Sequence, residues 1–165
     1  MEITEYKIIQ DKKLHPKLKE VQTFEYKGKI ERSYECLVSI FITLFSLDRC
    51  MEEYVYVVAL NANGEWLGIL NIAHGGQTEA VVDNKTIFTF LLLVGASKFV
   101  LVHNHPSGIM KISDSDYILT ENLEELAEKF ELDLIEHIMI SKNGYVLINQ
   151  YEQYGSDHIL PVIDF

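Results

Sequence analysis

His103 and His105 stand one residue apart, and Asp116 follows eleven positions after the second of them. On a strand, residues i and i+2 project to the same face. Two imidazoles at that spacing leave the chain on one side and can bite a single metal ion. Pro106-Ser107-Gly108 favours a turn, and such a turn could fold Asp116 back as a third ligand. Two imidazoles and one carboxylate leave the fourth tetrahedral position of a zinc ion to water, the pattern of a catalytic site rather than a closed structural one. Zinc lowers the pKa of water bound to it from about 16 to about 7, so a nucleophile forms at neutral pH. A carboxylate nearby would then act as general base and later as proton donor. Glu53, at the mouth of the first buried strand, is the candidate. Its neighbour Glu52 points to the opposite face, so parity admits one of the two, and the residues alone do not say which.

Ser113-x-x-Asp116 also fits a helix capping box, with Ser113 as N-cap and Asp116 at the third helical position. The two uses of Asp116 are compatible, because Ser113 would shape the turn that aims it. Asp114 is a rival carboxylate, placed to meet the dipole of the same helix.

The elements that must position these residues are legible from periodicity. Leu37, Ile40, Phe41, Leu44 and Phe45 recur at helical spacing within Glu31 to Phe45. Tyr54 to Leu60 is aromatic, β-branched and apolar, a buried strand. Asn61 to Gly64 then predicts a hairpin turn into a strand over Trp66 to Ile72. Gly75-Gly76 breaks the chain. Asp83 or Asn84 can cap a helix to about Ala96, whose centre (Ile87, Phe88, Phe90, Leu91, Leu92 and Leu93) is apolar almost all round and is expected to be buried. Phe99 to Val102 is a short buried strand that delivers His103. A polar loop over Asn104 to Ile112 leads to a helix from about Asp114 to Phe130, striped by Leu119, Leu123, Leu126, Ala127 and Phe130. Leu134 to Ile140 is a strand, and Asn143-Gly144 turns it into Tyr145 to Ile148. The order α-β-β-α-β-α-β-β predicts a single α/β domain with a mixed sheet and helices packed on it. Residues 1–30 are the least readable, with a strand at Tyr6 to Ile9 and a turn near His15-Pro16. The tail, residues 151–165 with His158, reads as a wrapping or partner-contact segment.

The chain has 165 residues, 48% hydrophobic and 24% charged, with a net charge of −11. That length supports one domain with a real core. Its acidity disfavours non-specific contact with phosphate backbones. The lysine-bearing stretch Asp11 to Lys19 is short and lacks aromatics, so it reads as a solvated loop. Cys36 and Cys50 lie in or beside an apolar helical pattern, which suits reduced thiols and a cytoplasmic location. No signal-peptide pattern opens the sequence, and no apolar run approaches a membrane span. His137 beside a buried strand reads as a structural histidine. His74 is a lesser candidate for a cleft wall, and Trp66 is core or hairpin surface.

His-x-His, seven residues, Ser, two residues, Asp resembles the JAMM motif of the JAB/MPN metalloproteases. His103 to Gly108 (HNHPSG) looks like the signature of the RadC family, a bacterial branch long labelled as DNA repair proteins. The resemblance runs from about Glu53 to Ile148. It implies a three-layer α/β/α fold related to that of the zinc deaminases. It implies one Zn2+ on His103, His105 and Asp116, with Glu53 as the acid/base. Aligning the strand that ends Leu60-Asn61 with the family's Leu-Asp selects Glu53 over Glu52. Ser113 matches the serine that helps hold a tetrahedral oxyanion, a role typically worth roughly 3–4 kcal/mol where one such donor has been removed. The implied activity is that of a metallopeptidase on a peptide or isopeptide bond, with a peptide or a ubiquitin-like protein as partner. The alternative is a non-catalytic module in DNA repair or in a mobile element, which the acidic charge argues against. A deaminase is disfavoured because no Cys-x-x-Cys is present. Two positions depart from the RadC pattern. Ile112 stands where a proline usually precedes the serine, and Asp83-Asn84-Lys85 replaces a Pro-Arg pair. Nor do residues 1–30 carry the helix-hairpin-helix pattern of longer members.

Overall fold

The computed structural model describes residues 1–28, 33–75, 82–149 and 159–160. The chain opens with β1 (Glu2–Gln10) and β2 (Pro16–Glu25), followed by α1 (Tyr34–Phe45). Next come β3 (Glu53–Leu60), β4 (Trp66–Gly75), α2 (Asn84–Val94) and β5 (Lys98–Asn104). The chain continues through α3 (Asp114–Lys129), β6 (Asp133–Ser141), β7 (Gly144–Leu147) and β8 (Ile159–Leu160). All the strands join one mixed sheet in the order β2-β1-β4-β3-β5-β6-β7-β8. From α1 to β7 the elements follow the order that periodicity predicts.

Side-chain alternation sorts the strands' residues into two layers. Tyr56, Val58 and Leu60 of β3, with Val100 and Val102 of β5 and Ile138 and Ile140 of β6, pack beneath Val38, Ile40 and Phe41 of α1. The alternate residues Val55, Val57 and Ala59, with Phe99 and Leu101, pack against Ile87, Phe90 and Leu91 of α2 and Leu123 and Ala127 of α3. Helices therefore cover both faces, the three-layer α/β/α arrangement. β5 runs down the middle, antiparallel to β3 and parallel to β6. Its buried residues end at His103 and Asn104.

Local signals start and stop these elements. Ser33 caps α1 through its hydroxyl, which accepts from the Cys36 N–H. Asp83 caps α2, accepting from the N–H groups of Lys85 and Thr86. A carboxylate cap thus starts α2 by accepting from free backbone N–H groups, a different device from the proline of the RadC pattern. At the β3–β4 turn, Asn61 Oδ1 accepts from the N–H of Asn63 and of Glu65, and Gly64 takes φ +77°.

The N-terminal region departs from expectation. The strand over Tyr6 to Ile9 is part of a longer β1, paired along its length with β2. Asp11 Oδ1 folds the connection by accepting from the N–H of Lys13 and of His15. Within Asp11 to Lys19 only the first five residues are turn; Pro16 to Lys19 belong to β2. Most of β2 is exposed on both faces, so it carries no apolar period to read. It is held by backbone pairing and by the edge of the Phe24 ring against Phe45, with centroids 4.8 Å apart. β8 lies within the C-terminal tail and pairs with β7. His158, the rest of the tail and the His74 side chain lie outside the described residues. Cys36 and Cys50 are not joined by a disulfide. Among the described residues no helix is long and apolar enough to cross a membrane.

Candidate metal centre

His103 is the penultimate residue of β5, opposite Val55 of β3 and Met139 of β6. His105 follows the strand and stays tied to the sheet by its N–H, which donates to the Ile140 carbonyl at 2.9 Å. The turn predicted from Pro106-Ser107-Gly108 forms there: the Gly108 N–H donates to the His105 carbonyl at 3.1 Å, with Gly108 at φ +74°. Asn143 Nδ2 donates to the Gly108 carbonyl and pins the turn to the β6–β7 hairpin. Ile112, the residue in place of the family's proline, is buried with Met139, Val146 and Ile148. That apolar anchor, rather than a fixed φ, returns the chain to the sheet just before Ser113.

The capping box predicted at Ser113 is present. The Ser113 side chain accepts from the Asp116 N–H, and the Asp116 carboxylate accepts from the Ser113 N–H. Ser113 Oγ also donates to Asp116 Oδ2 at 2.6 Å. Two donors from one residue therefore hold Oδ2 and fix the orientation of the carboxylate. Asp114 is exposed in the first turn and does not join the group.

His103, His105 and Asp116 converge. His103 Nε2 lies 3.4 Å from Asp116 Oδ1, and His105 Nε2 lies 3.4 Å from Asp116 Oδ2. One donor atom from each of the three fits within 4.8 Å of the others. Donors each about 2.05 Å from a zinc ion, at the tetrahedral angle, stand about 3.4 Å apart. His103 Nε2 is buried and has no hydrogen-bond partner among the described residues. A buried nitrogen left unsatisfied beside a carboxylate is costly unless a cation lies between them. The donor set thus fits one metal ion.

The electrostatics agree. Burial pulls His103 down to about 4, against the attraction of Asp116, so its ring is neutral near pH 7. His105 is raised above its ordinary value; burial opposes this, but the hydrogen bond and charge of Asp116 outweigh it, and Glu53 adds to them. Asp116 is held well below the carboxylate range: burial is overcome by His105, His103 and the two Ser113 donors.

The three side chains line an open cleft of about 570 Å³ together with Glu53, Ser113 and His137. Glu53 opens β3, on the same face as Val55 and Val57. Glu52 sits on the other side, where its carboxylate accepts from the Tyr54 hydroxyl at 3.2 Å. The parity choice left open by the residues is thereby made: Glu53 faces the cleft.

Three further residues surround the group that sequence reasoning did not place in it. Asn104, between the two histidines and 1% exposed, reaches across to β3. Its Oδ1 accepts from the Tyr54 N–H at 2.8 Å and its Nδ2 donates to the Glu52 carbonyl at 3.0 Å, so it brackets the backbone of Glu53. His137 is fully buried on β6, as a structural histidine would be, yet its Nε2 lies 2.8 Å from His103 Nδ1. Thr120 on α3 meets the other ring nitrogen of His137 at 2.7 Å. The signal for Asn104 was its place inside His-x-His. For His137 it was a polar residue in phase with His103 once β5 and β6 are parallel neighbours, and that pairing is not written in either strand.

Residues 32–153 match the family described as RadC-like JAB domain. The chain belongs to that family. Its relatives include a UPF0758 protein of Streptococcus suis, 29% identical over 113 residues, which are 68% of this chain and 44% of that one. A UPF0758 protein of Alkaliphilus metalliredigens is 30% identical over 99 residues, covering 60% and 43% of the two chains. One of Gloeothece citriformis is 33% identical over 94 residues, covering 57% and 39%. The stretch matched in each of these relatives is less than half of that relative's length.

Proposed function

We propose that this RadC-like JAB domain is a zinc-dependent hydrolase of peptide or isopeptide bonds, with Glu53 as its general acid/base. The observation that carries the reading is the convergence of the His103, His105 and Asp116 donor atoms in the wall of a cleft that Glu53 also lines. His103, His105 and Asp116 would hold the ion through two neutral imidazoles and one carboxylate, which leaves a position for solvent. A zinc ion held there would supply a Lewis acid and bring the pKa of water down to about 7.

The chain's own residues supply the rest. Glu53, held in place by the Asn104 bracket, would take a proton from the attacking water and hand it to the leaving amine nitrogen. Ser113 has a first duty to Asp116, since its hydroxyl proton points at Oδ2. Donation to an oxyanion would require that proton to swing away, and the Ser113 N–H would then keep Asp116 in position.

The test is cleavage of a panel of linear peptides and isopeptide-linked ubiquitin-like conjugates by zinc-loaded protein, with Glu53→Gln as control. Cleavage by the wild type that Glu53→Gln abolishes while keeping its zinc supports the reading. Bound zinc with no cleavage anywhere in the panel withdraws the hydrolase assignment. Salt-sensitive DNA binding that survives loss of all three ligands would favour the non-catalytic module instead.

A further inference from the structure

We propose that His137, backed by Thr120, sets the tautomer of His103 and is a positioning residue for the metal ligand. The inference rests on the metal-site reading above, and follows from counting protons along one line of buried contacts. The Asp116 carbonyl can only accept, and it accepts from Thr120 Oγ1 at 2.7 Å. A threonine hydroxyl has a single proton, so Thr120 Oγ1 has none left for His137 Nδ1, 2.7 Å away. His137 Nδ1 must therefore carry the proton and donate. A fully buried imidazole is kept neutral by the cost of desolvating its charge, so His137 Nε2 is a bare acceptor. Its neighbour at 2.8 Å, His103 Nδ1, is then the donor of that contact. A neutral His103 protonated at Nδ1 has its lone pair at Nε2, the atom left unsatisfied beside Asp116.

The line thus starts at the backbone of Asp116 and ends beside the carboxylate of the same residue. One turn of α3 (Asp116 to Thr120) and two neighbouring strands close the loop. Metal-bound histidines usually donate their second nitrogen to a carboxylate, a carbonyl or water. Here the acceptor is a second neutral ring, itself oriented by a hydroxyl. His105 reaches the same tautomer by the commoner route, with Nδ1 donating to the Ile109 carbonyl at 3.2 Å. Both ligands therefore present Nε2, by two independent devices.

The experiment uses full-length protein labelled with 15N in histidine. Two-bond 15N–1H correlation spectra, in which protonated and bare ring nitrogens are well separated, are recorded zinc-free and zinc-loaded. Zinc affinity is measured by chelator competition. The expected result for zinc-free wild type is a His103 ring protonated at Nδ1 and bare at Nε2. Thr120→Val, nearly isosteric, and His137→Leu are expected to mix the His103 tautomers and weaken zinc binding about 10- to 100-fold. His137→Gln, whose amide oxygen can still accept from His103, is expected to recover most of that loss. If His137→Leu does not fold, Thr120→Val and His137→Gln decide. A zinc-free His103 protonated at Nε2 overturns the inference, as do variants with unchanged spectra and unchanged affinity. Wild type that shows the expected tautomer but takes up no zinc would sink the metal reading and leave the tautomer assignment standing.

Discussion

Acidification gives the sharpest handle on the candidate metal centre, because its two imidazoles answer pH differently. Ligation requires both nitrogens to be bare. His103 is already neutral down to about pH 4, chiefly through burial. His105 holds its proton to a higher pH than usual: burial lowers it, but the hydrogen bond and charge of Asp116 raise it further. Asp116 is ionised throughout the working range, its burial outweighed by the two imidazoles and Ser113. Between the His103 and His105 values the empty site therefore carries one proton, on His105, and zinc must displace it. The sign follows: affinity is full above the raised His105 pKa and falls as pH drops through it. One proton per ion means a tenfold loss per pH unit, about 1.4 kcal/mol, so two units inside the window cost about 100-fold. Chelator competition from pH 8 to pH 5 at constant ionic strength measures the slope. Calorimetry in buffers of different ionisation enthalpy counts the proton independently. A slope of two across that window would show both imidazoles protonated and refute the asymmetry; a slope of zero would refute the pairing of His105 with Asp116.

Other outcomes follow from neighbouring contacts. His105→Ala is expected to remove zinc-dependent stabilisation: wild type should gain roughly 2.7 kcal/mol with free zinc at 100 times Kd, and the variant almost none, as read by thermal melts with and without chelator. Asn104→Ala removes the two hydrogen bonds that bracket Glu53. It should cost about 1–3 kcal/mol in urea unfolding while zinc affinity changes far less than in His105→Ala; equal loss of both would place Asn104 in the metal group. Glu136 is raised to about 7, by burial above all, against the N–H donors of Asn149 and His137. A carboxyl whose folded pKa is raised loses stability as pH climbs from its unfolded value to its folded one, here from about 4.5 to 7. That loss is at most about 3 kcal/mol. Glu136→Gln keeps the accepting oxygen and removes the charge, so its melting temperature should exceed that of wild type at pH 8 and match it near pH 5. Parallel pH profiles for the two proteins would count against a buried charge at Glu136.

The residues of the candidate site and the elements that carry them were legible for one reason: each is specified locally. Ser113 and Asp116 write their capping box in four residues, and the same four aim the carboxylate. β3 and β5 are buried on both faces, so Tyr54 to Leu60 and Phe99 to Val102 read as apolar runs. Their register is another matter. Glu53 and Glu52 could not be separated by parity until Val55 was seen opposite His103. His137 was legible as buried but not as the neighbour of His103, because the parallel pairing of β5 with β6 is a tertiary fact. Thr120 was hidden for a different reason. Its hydroxyl is satisfied one turn back on its own helix, a local bond common enough to point to nothing. The β1–β2 hairpin escaped because β2 buries so little, and exposed strands are held by backbone bonds that leave no apolar alternation.

The central claim is that His103, His105 and Asp116 close on one cation, and the zinc K-edge X-ray absorption spectrum of zinc-loaded protein tests it most directly. The expected spectrum has two imidazole nitrogens and light oxygen donors at about 2.0–2.2 Å with no sulfur, and the imidazole signal falls by half in His105→Ala. A thiolate shell near 2.3 Å, or a solvent-only shell indifferent to loss of His103 and His105, would contradict it.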